Sequence, residues 1–138
     1  MAAGKYKFHD GEKIRLTRAA IATATAIEAG DLVAIDSGLI IKAVAASTAV
    51  AFCPDGHAAN SGTSVEVTVG NDFTLKGTSD AAFAITDKGV ACGIDDTTQY
   101  IDLSDTSGTD VLKVSIAEDA GVVGSTEDVV VRINVPLF

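Results

Sequence analysis

Residues 26–44 read Ala-Ile-Glu-Ala-Gly-Asp-Leu-Val-Ala-Ile-Asp-Ser-Gly-Leu-Ile-Ile-Lys-Ala-Val. Two short apolar runs, Leu32–Ile35 and Leu39–Val44, flank Asp36-Ser37-Gly38. Glu28-Ala29-Gly30-Asp31 precedes them as turn chemistry. Runs this short, rich in β-branched residues and parted by a Gly-containing turn, predict a β-hairpin.

The same grammar extends in both directions. Upstream, Ile21–Ile27 alternates Ile or Thr with Ala, the period of a strand. Downstream, Ala49–Cys53 stops at Pro54-Asp55-Gly56, a strong turn signal. Val65–Val69 alternates and turns at Gly70-Asn71-Asp72 into Phe73–Leu75. Phe83–Ile85, Val90–Ile94, Tyr100–Leu103, Val111–Ala117 and Val129–Val135 read as further strands. Polar loops are expected at 54–64, 104–110 and 118–128. Roughly nine or ten short strands at this spacing predict an all-β fold, a compact small barrel or sandwich.

Composition agrees. Val, Ile and Thr number 40 of 138 residues, against seven Leu, one Gln and one Met. β-branched side chains fit a pleated surface and lose rotamer freedom in helices. The 22 Ala residues sit mostly among Thr, Val and Ile, which leaves room for one or two helical turns at most. Two Tyr, five Phe and no Trp offer little platform for stacking sugars or bases.

Charge divides the chain into an arm and a body. Residues 1–18 hold five basic and two acidic groups, for +3, and residues 19–138 hold five and seventeen, for −12. An acidic body repels nucleic acid and anionic membrane, so neither is expected as a partner. The reading is an extended basic N-terminal arm over 1–18 and a single β domain over 19–138. Tyr6 and Phe8 are two apart, and Ile14 and Leu16 continue the phase. An arm with one apolar face lies on something, either its own body or a partner. A basic arm on an acidic body suits docking onto an acidic protein surface such as a neighbouring copy, and the alternative is a solvated tail that happens to be basic. The N-terminus has no apolar leader, and no apolar run approaches membrane-spanning length. The expectation is a protein made in the cytoplasm.

Catalytic chemistry has few carriers. The histidines are His9 and His57, and the cysteines Cys53 and Cys92 form no CxxC pair. Both cysteines lie in apolar runs and read as buried thiols, with a disulfide between them as the alternative. A Cys53–His57 dyad lacks a third, orienting group. Asp95-Asp96 and Asp102, Asp105 and Asp110 do not have the spacing of an EF-hand loop. The glycines fall one to a turn rather than in a phosphate-binding cluster. No cofactor, no metal and no enzyme activity are expected.

The hairpin pattern of residues 26–44, apolar-x-x-Gly-Asp-x-Val, a short turn and a Gly-led apolar strand, resembles the decoration (cement) proteins of tailed-bacteriophage capsids. Residues 19–53 carry most of the likeness, and Val129–Val135 agrees in kind. That resemblance implies a β-tulip-like fold. It also implies a structural virion protein that binds the outer surface of an assembled capsid, as a trimer at three-fold positions. The partners would be the major capsid protein and further copies of the chain, with the arm as the contact: Lys5, Tyr6, Lys7, Phe8, Ile14, Arg15 and Leu16. By analogy, such an arm adds to a capsid sheet edge, and removing residues 1–16 should leave a folded domain that no longer binds. The alternatives are another β-barrel virion component, such as a head-fibre base or a tail-tube subunit, and a non-viral binding module. The last is weakened by the absence of Trp and the sparse Tyr, and would gain support from an exposed aromatic strip around Phe73, Phe83 and Tyr100.

Overall fold

The hairpin forms as its sequence dictates. Strands β3 (Leu32–Asp36) and β4 (Leu39–Lys42) pair antiparallel, with Ile35 opposite Ile40 and Asp36 opposite Leu39. Ser37 and Gly38 bridge them at φ 52° and 79°. This is the mirror-image two-residue turn whose twist matches that of the strands it joins.

The computed structural model describes residues 6–12, 15–16, 26–58, 66–68, 70–104 and 110–137. Besides the hairpin, those residues form β1 (Lys7–Gly11), β2 (Arg15–Leu16), β5 (Ala51–Phe52), β6 (Val67–Thr68) and β7 (Phe73–Gly77). They continue with β8 (Ala91–Ile94), β9 (Ile101–Asp102), β10 (Leu112–Val114) and β11 (Val129–Ile133). One antiparallel sheet has the order β1-β7-β11-β10-β8-β9 and the other β2-β6-β5-β3-β4. The fold is all-β, the compact small barrel or sandwich that the sequence predicts. Most of the predicted strand Ile21–Ile27 lies outside the described residues, as do Val65, Val69, 59–64 and 105–109. Ile27 itself exchanges backbone hydrogen bonds with His57 at 2.7 and 2.8 Å.

The main core lies between the sheets. Leu32, Ala34 and Phe52 from one meet Leu75, Leu112, Val129, Val131 and Ile133 from the other. A second cluster, Ile27, Val33, Ile40, Ala51, Cys53 and Val67, covers the opposite face of the five-stranded sheet, with Leu137 packed on it. Leu32-Val33-Ala34 therefore feeds two cores by turns, and the run is apolar throughout. Burying each Val, Leu or Ile stabilises the fold by roughly 1.5–3 kcal/mol.

Two predicted strands are corrected. Phe83–Ile85 is not one: Phe83 is buried, and Ile85–Asp87 forms a 3-10 turn. The Asp87 carboxylate accepts from the Ala84 N–H at 2.8 Å, a local partner that competes with sheet pairing. Val111–Ala117 leaves the sheet after Val114, and Ile116 is 80 % exposed. The described part of the arm does not stand apart from the body. β1 pairs with β7 and β2 with β6, so each sheet takes an edge strand from it. Of the two expected resting places, the described residues occupy their own body. Cys53 and Cys92 are buried and form no disulfide.

Candidate partner-binding face

In the six-stranded sheet, alternation sends one set of side chains inward and the other out. Phe73, Leu75, Val131, Leu112 and Val114 turn into the core. Thr74 and Lys76 on β7, Arg132 on β11 and Lys113 on β10 fall on the opposite face. Lys7 of β1 stands directly opposite Lys76, and Lys113 directly opposite Arg132. Val130, the residue opposite Lys76 on β11, lies between these pairs. The result is a basic stripe across four neighbouring strands.

Six basic side chains are described, and four of them lie on this face. No ion pair links Lys7, Lys76, Lys113 or Arg132 to an acid among the described residues, whereas Lys42 approaches the buried Asp31 at 3.7 Å. Like charges set directly opposite each other cost roughly 0.2–1 kcal/mol per pair. The molecule tolerates two such pairs while its net charge is −9.

A loop borders the stripe. The Val130 N–H donates to the Ala120 carbonyl at 2.8 Å and the Ser115 N–H to the Val130 carbonyl at 3.0 Å. The segment thus lies over β11 and shelters Val130. His9 Nε2 and Asp119 Oδ2, 2.6 Å apart, tie the loop to β1. Thr74, His9, Asp119, Ile116 and Arg132 line the shallow groove between loop and stripe. An exposed branched side chain beside unpaired cations gives a surface able to hold an acidic, partly apolar protein segment.

The arm residues expected to touch a partner separate. Tyr6 is 3 % exposed and belongs to the core, which removes it as a contact. Its hydroxyl donates to the Gln99 carbonyl at 2.7 Å, and burial holds its phenol well above the ordinary range. Phe8 is half-buried, its ring stacked 6.0 Å from that of Phe73. Lys7 joins the basic face. Arg15 and Leu16 pair with Thr68 and Val67 through β2. Lys5 and Ile14 lie outside the described residues. Lys76, Lys113 and Arg132 were missed. Their alternation with apolar neighbours marks each as outward-facing, but only the strand order brings them together.

Two groups that the alternative readings invoke are buried. The Cys53 Sγ donates to the Asp55 carbonyl at 3.0 Å, and burial pushes its thiol up to about 12. The thiolate that a Cys–His dyad needs is therefore suppressed. Phe73 and Phe83 are buried, so the aromatic strip of a sugar-binding module does not form. Comparisons with protein-family models, with curated proteins and with solved structures find no match.

Proposed function

We propose that this chain is a structural coat protein that binds the outer surface of an assembled bacteriophage capsid and reinforces it, acting as a trimer on that lattice. The observation that carries the reading is the basic stripe of Lys7, Lys76, Lys113 and Arg132 on an otherwise acidic body. A folded acidic protein surface can meet the stripe alone. A long polyanion would also meet the repelling remainder. Lattice geometry then multiplies modest contacts, because many fixed sites are presented together. The work is mechanical: buried interface area resists separation of the coat subunits.

Co-sedimentation with expanded capsids tests this. The wild-type chain should saturate at a fixed number of copies per shell. The K76E/R132E variant should lose at least about tenfold in affinity, and raising the salt should weaken the wild type. A wild-type chain that stays in the supernatant, or a variant that binds at unchanged occupancy, would overturn the proposal.

A further inference from the structure

We infer that the joined loops 79–87 and 121–128 form a docking face for a basic, apolar segment of another protein, one in which aliphatic side chains stand beside lysines or arginines. The inference stands on these loops alone and makes no use of the basic stripe. Three backbone hydrogen bonds join them. The Ser79 N–H donates to the Thr126 carbonyl at 2.8 Å, the Phe83 N–H to the Ser125 carbonyl at 2.8 Å and the Gly124 N–H to the Phe83 carbonyl at 2.9 Å. The buried Phe83 ring packs against Gly121, where a Cβ would lie 2.8 Å from Phe83 Cγ. The two loops therefore present one surface, which exposes Ile85 at 62 %, Val122 at 69 % and Val123 at 62 %. The Ser125 N–H donates to the Val122 carbonyl at 2.9 Å with Gly124 at φ 87°, so Val122–Ser125 is a tight turn. Such a turn needs its glycine and gains nothing from two adjacent valines. Branched aliphatic side chains held out on fixed loops gain by being covered.

Charge identifies what covers them. Residues 79–87 and 121–128 carry Asp80, Asp87, Glu127 and Asp128 and no lysine, arginine or histidine. Asp80, Glu127 and Asp128 are exposed, and none of the three forms an ion pair among the described residues. The Asp80 carboxyl instead shares a hydrogen bond with that of Asp102, and partial burial together with this neighbour raises its pKa. A cation placed here relieves the crowding of like charge. A second copy applying the same face would set carboxylates against carboxylates, and an anionic membrane would be repelled. A segment that brings cations and aliphatic groups together satisfies both halves of the face.

The test is methyl NMR on the full chain, titrated with three short synthetic peptides. One alternates Lys and Leu, one has Ser in place of every Leu, and one has Glu in place of every Lys. The Lys–Leu peptide should shift the Ile85, Val122 and Val123 methyl signals and bind at least about tenfold tighter than either control. In V122S/V123S its affinity should fall to that of the Lys–Ser peptide. In E127K/D128K it should fall at least about tenfold. V122L/V123L keeps the apolar area and should bind as the wild type does. Circular dichroism checks that each variant folds. Equal binding of all three peptides, or a folded V122S/V123S chain that binds the Lys–Leu peptide as the wild type does, overturns the inference. A native mass that falls in V122S/V123S would make a second copy the occupant and overturn it too. Capsid co-sedimentation reads Lys76 and Arg132, which these variants leave in place, so the inference and the proposed function can fail separately.

Discussion

The Tyr6 hydroxyl donates to the backbone carbonyl of Gln99, 93 residues away, at 2.7 Å. The ring fills space that only glycine leaves open: a Cβ at Gly77 would lie 2.5 Å from Tyr6 Cε1. Tyr6 is pinned into the core at this point, so the arm cannot be cut away without cost. Tyr6→Phe should destabilise by about 1–3 kcal/mol by leaving a buried carbonyl without its donor. Tyr6→Ala should lose about 3–5 kcal/mol through the cavity. Deleting residues 1–16 should lower stability by at least as much as Tyr6→Ala. Urea unfolding of the three variants checks the order.

Gln99 is fully buried, with φ at 60°. Its side chain accepts from the Leu32 N–H at 2.9 Å and donates to the Leu32 and Ala43 carbonyls at 2.8 Å each. One amide thereby fastens the turn after β8 to strand β3 of the facing sheet. Gln99→Leu keeps the approximate volume and orphans two backbone groups, the Leu32 N–H and the Ala43 carbonyl, because the Leu32 carbonyl still accepts from the Ala43 N–H at 2.9 Å. At roughly 1–3 kcal/mol per orphaned group, this variant should be among the least stable single substitutions, with a matching fall in melting temperature.

Ser37-Gly38 needs positive φ at both residues, and asparagine adopts that region more readily than serine. Ser37→Asn should stabilise the fold by a few tenths of a kcal/mol, about 0.5 at most, with an unchanged denaturant slope. A loss of stability would contradict the turn assignment.

The hairpin was legible because its information is local: two short apolar runs parted by a Gly-containing turn. The strands around Leu112 and Val129 were legible for the same reason. Phe83–Ile85 was misread because the capping carboxylate of Asp87 lies outside the apolar run that suggested a strand. The roles of Tyr6 and Gln99 were illegible because each depends on a partner far along the chain, and a lone glutamine has no periodic signature. The basic face was half legible. Lys113 between Leu112 and Val114 must point outward, yet nothing in the local sequence says that Arg132 stands opposite it.

Asp31 has no exposed side-chain surface and its Oδ1 has no partner. Burial raises its pKa, and the Glu28 N–H and Lys42 only partly offset this. The folded state therefore binds this proton more tightly than the unfolded state does. By linkage, stability falls as pH rises from the unfolded carboxyl value through the raised folded one. The penalty is complete above that window. Asp80 titrates in the same direction, through burial and the neighbouring Asp102, so Asp31→Asn should flatten only part of the slope. Urea unfolding between about pH 4 and pH 7 should show the variant gaining on the wild type as pH rises. A difference independent of pH would contradict the assignment.

Lys113 and Arg132 stand opposite each other on neighbouring strands, so replacing one sign should relieve a repulsion built into the sheet. Lys113→Glu converts the pair into a cross-strand attraction and should stabilise the isolated protein by roughly 0.2–1 kcal/mol. The gain should shrink as salt screens the pair. The same substitution removes a positive charge from the stripe and adds a negative one, so binding to capsids should weaken. Stability and binding then move in opposite directions, which a merely structural lysine would not produce. Thermal unfolding and co-sedimentation on one sample resolve the two. A variant that is more stable and binds as well as the wild type would show that the stripe is not an assembly surface.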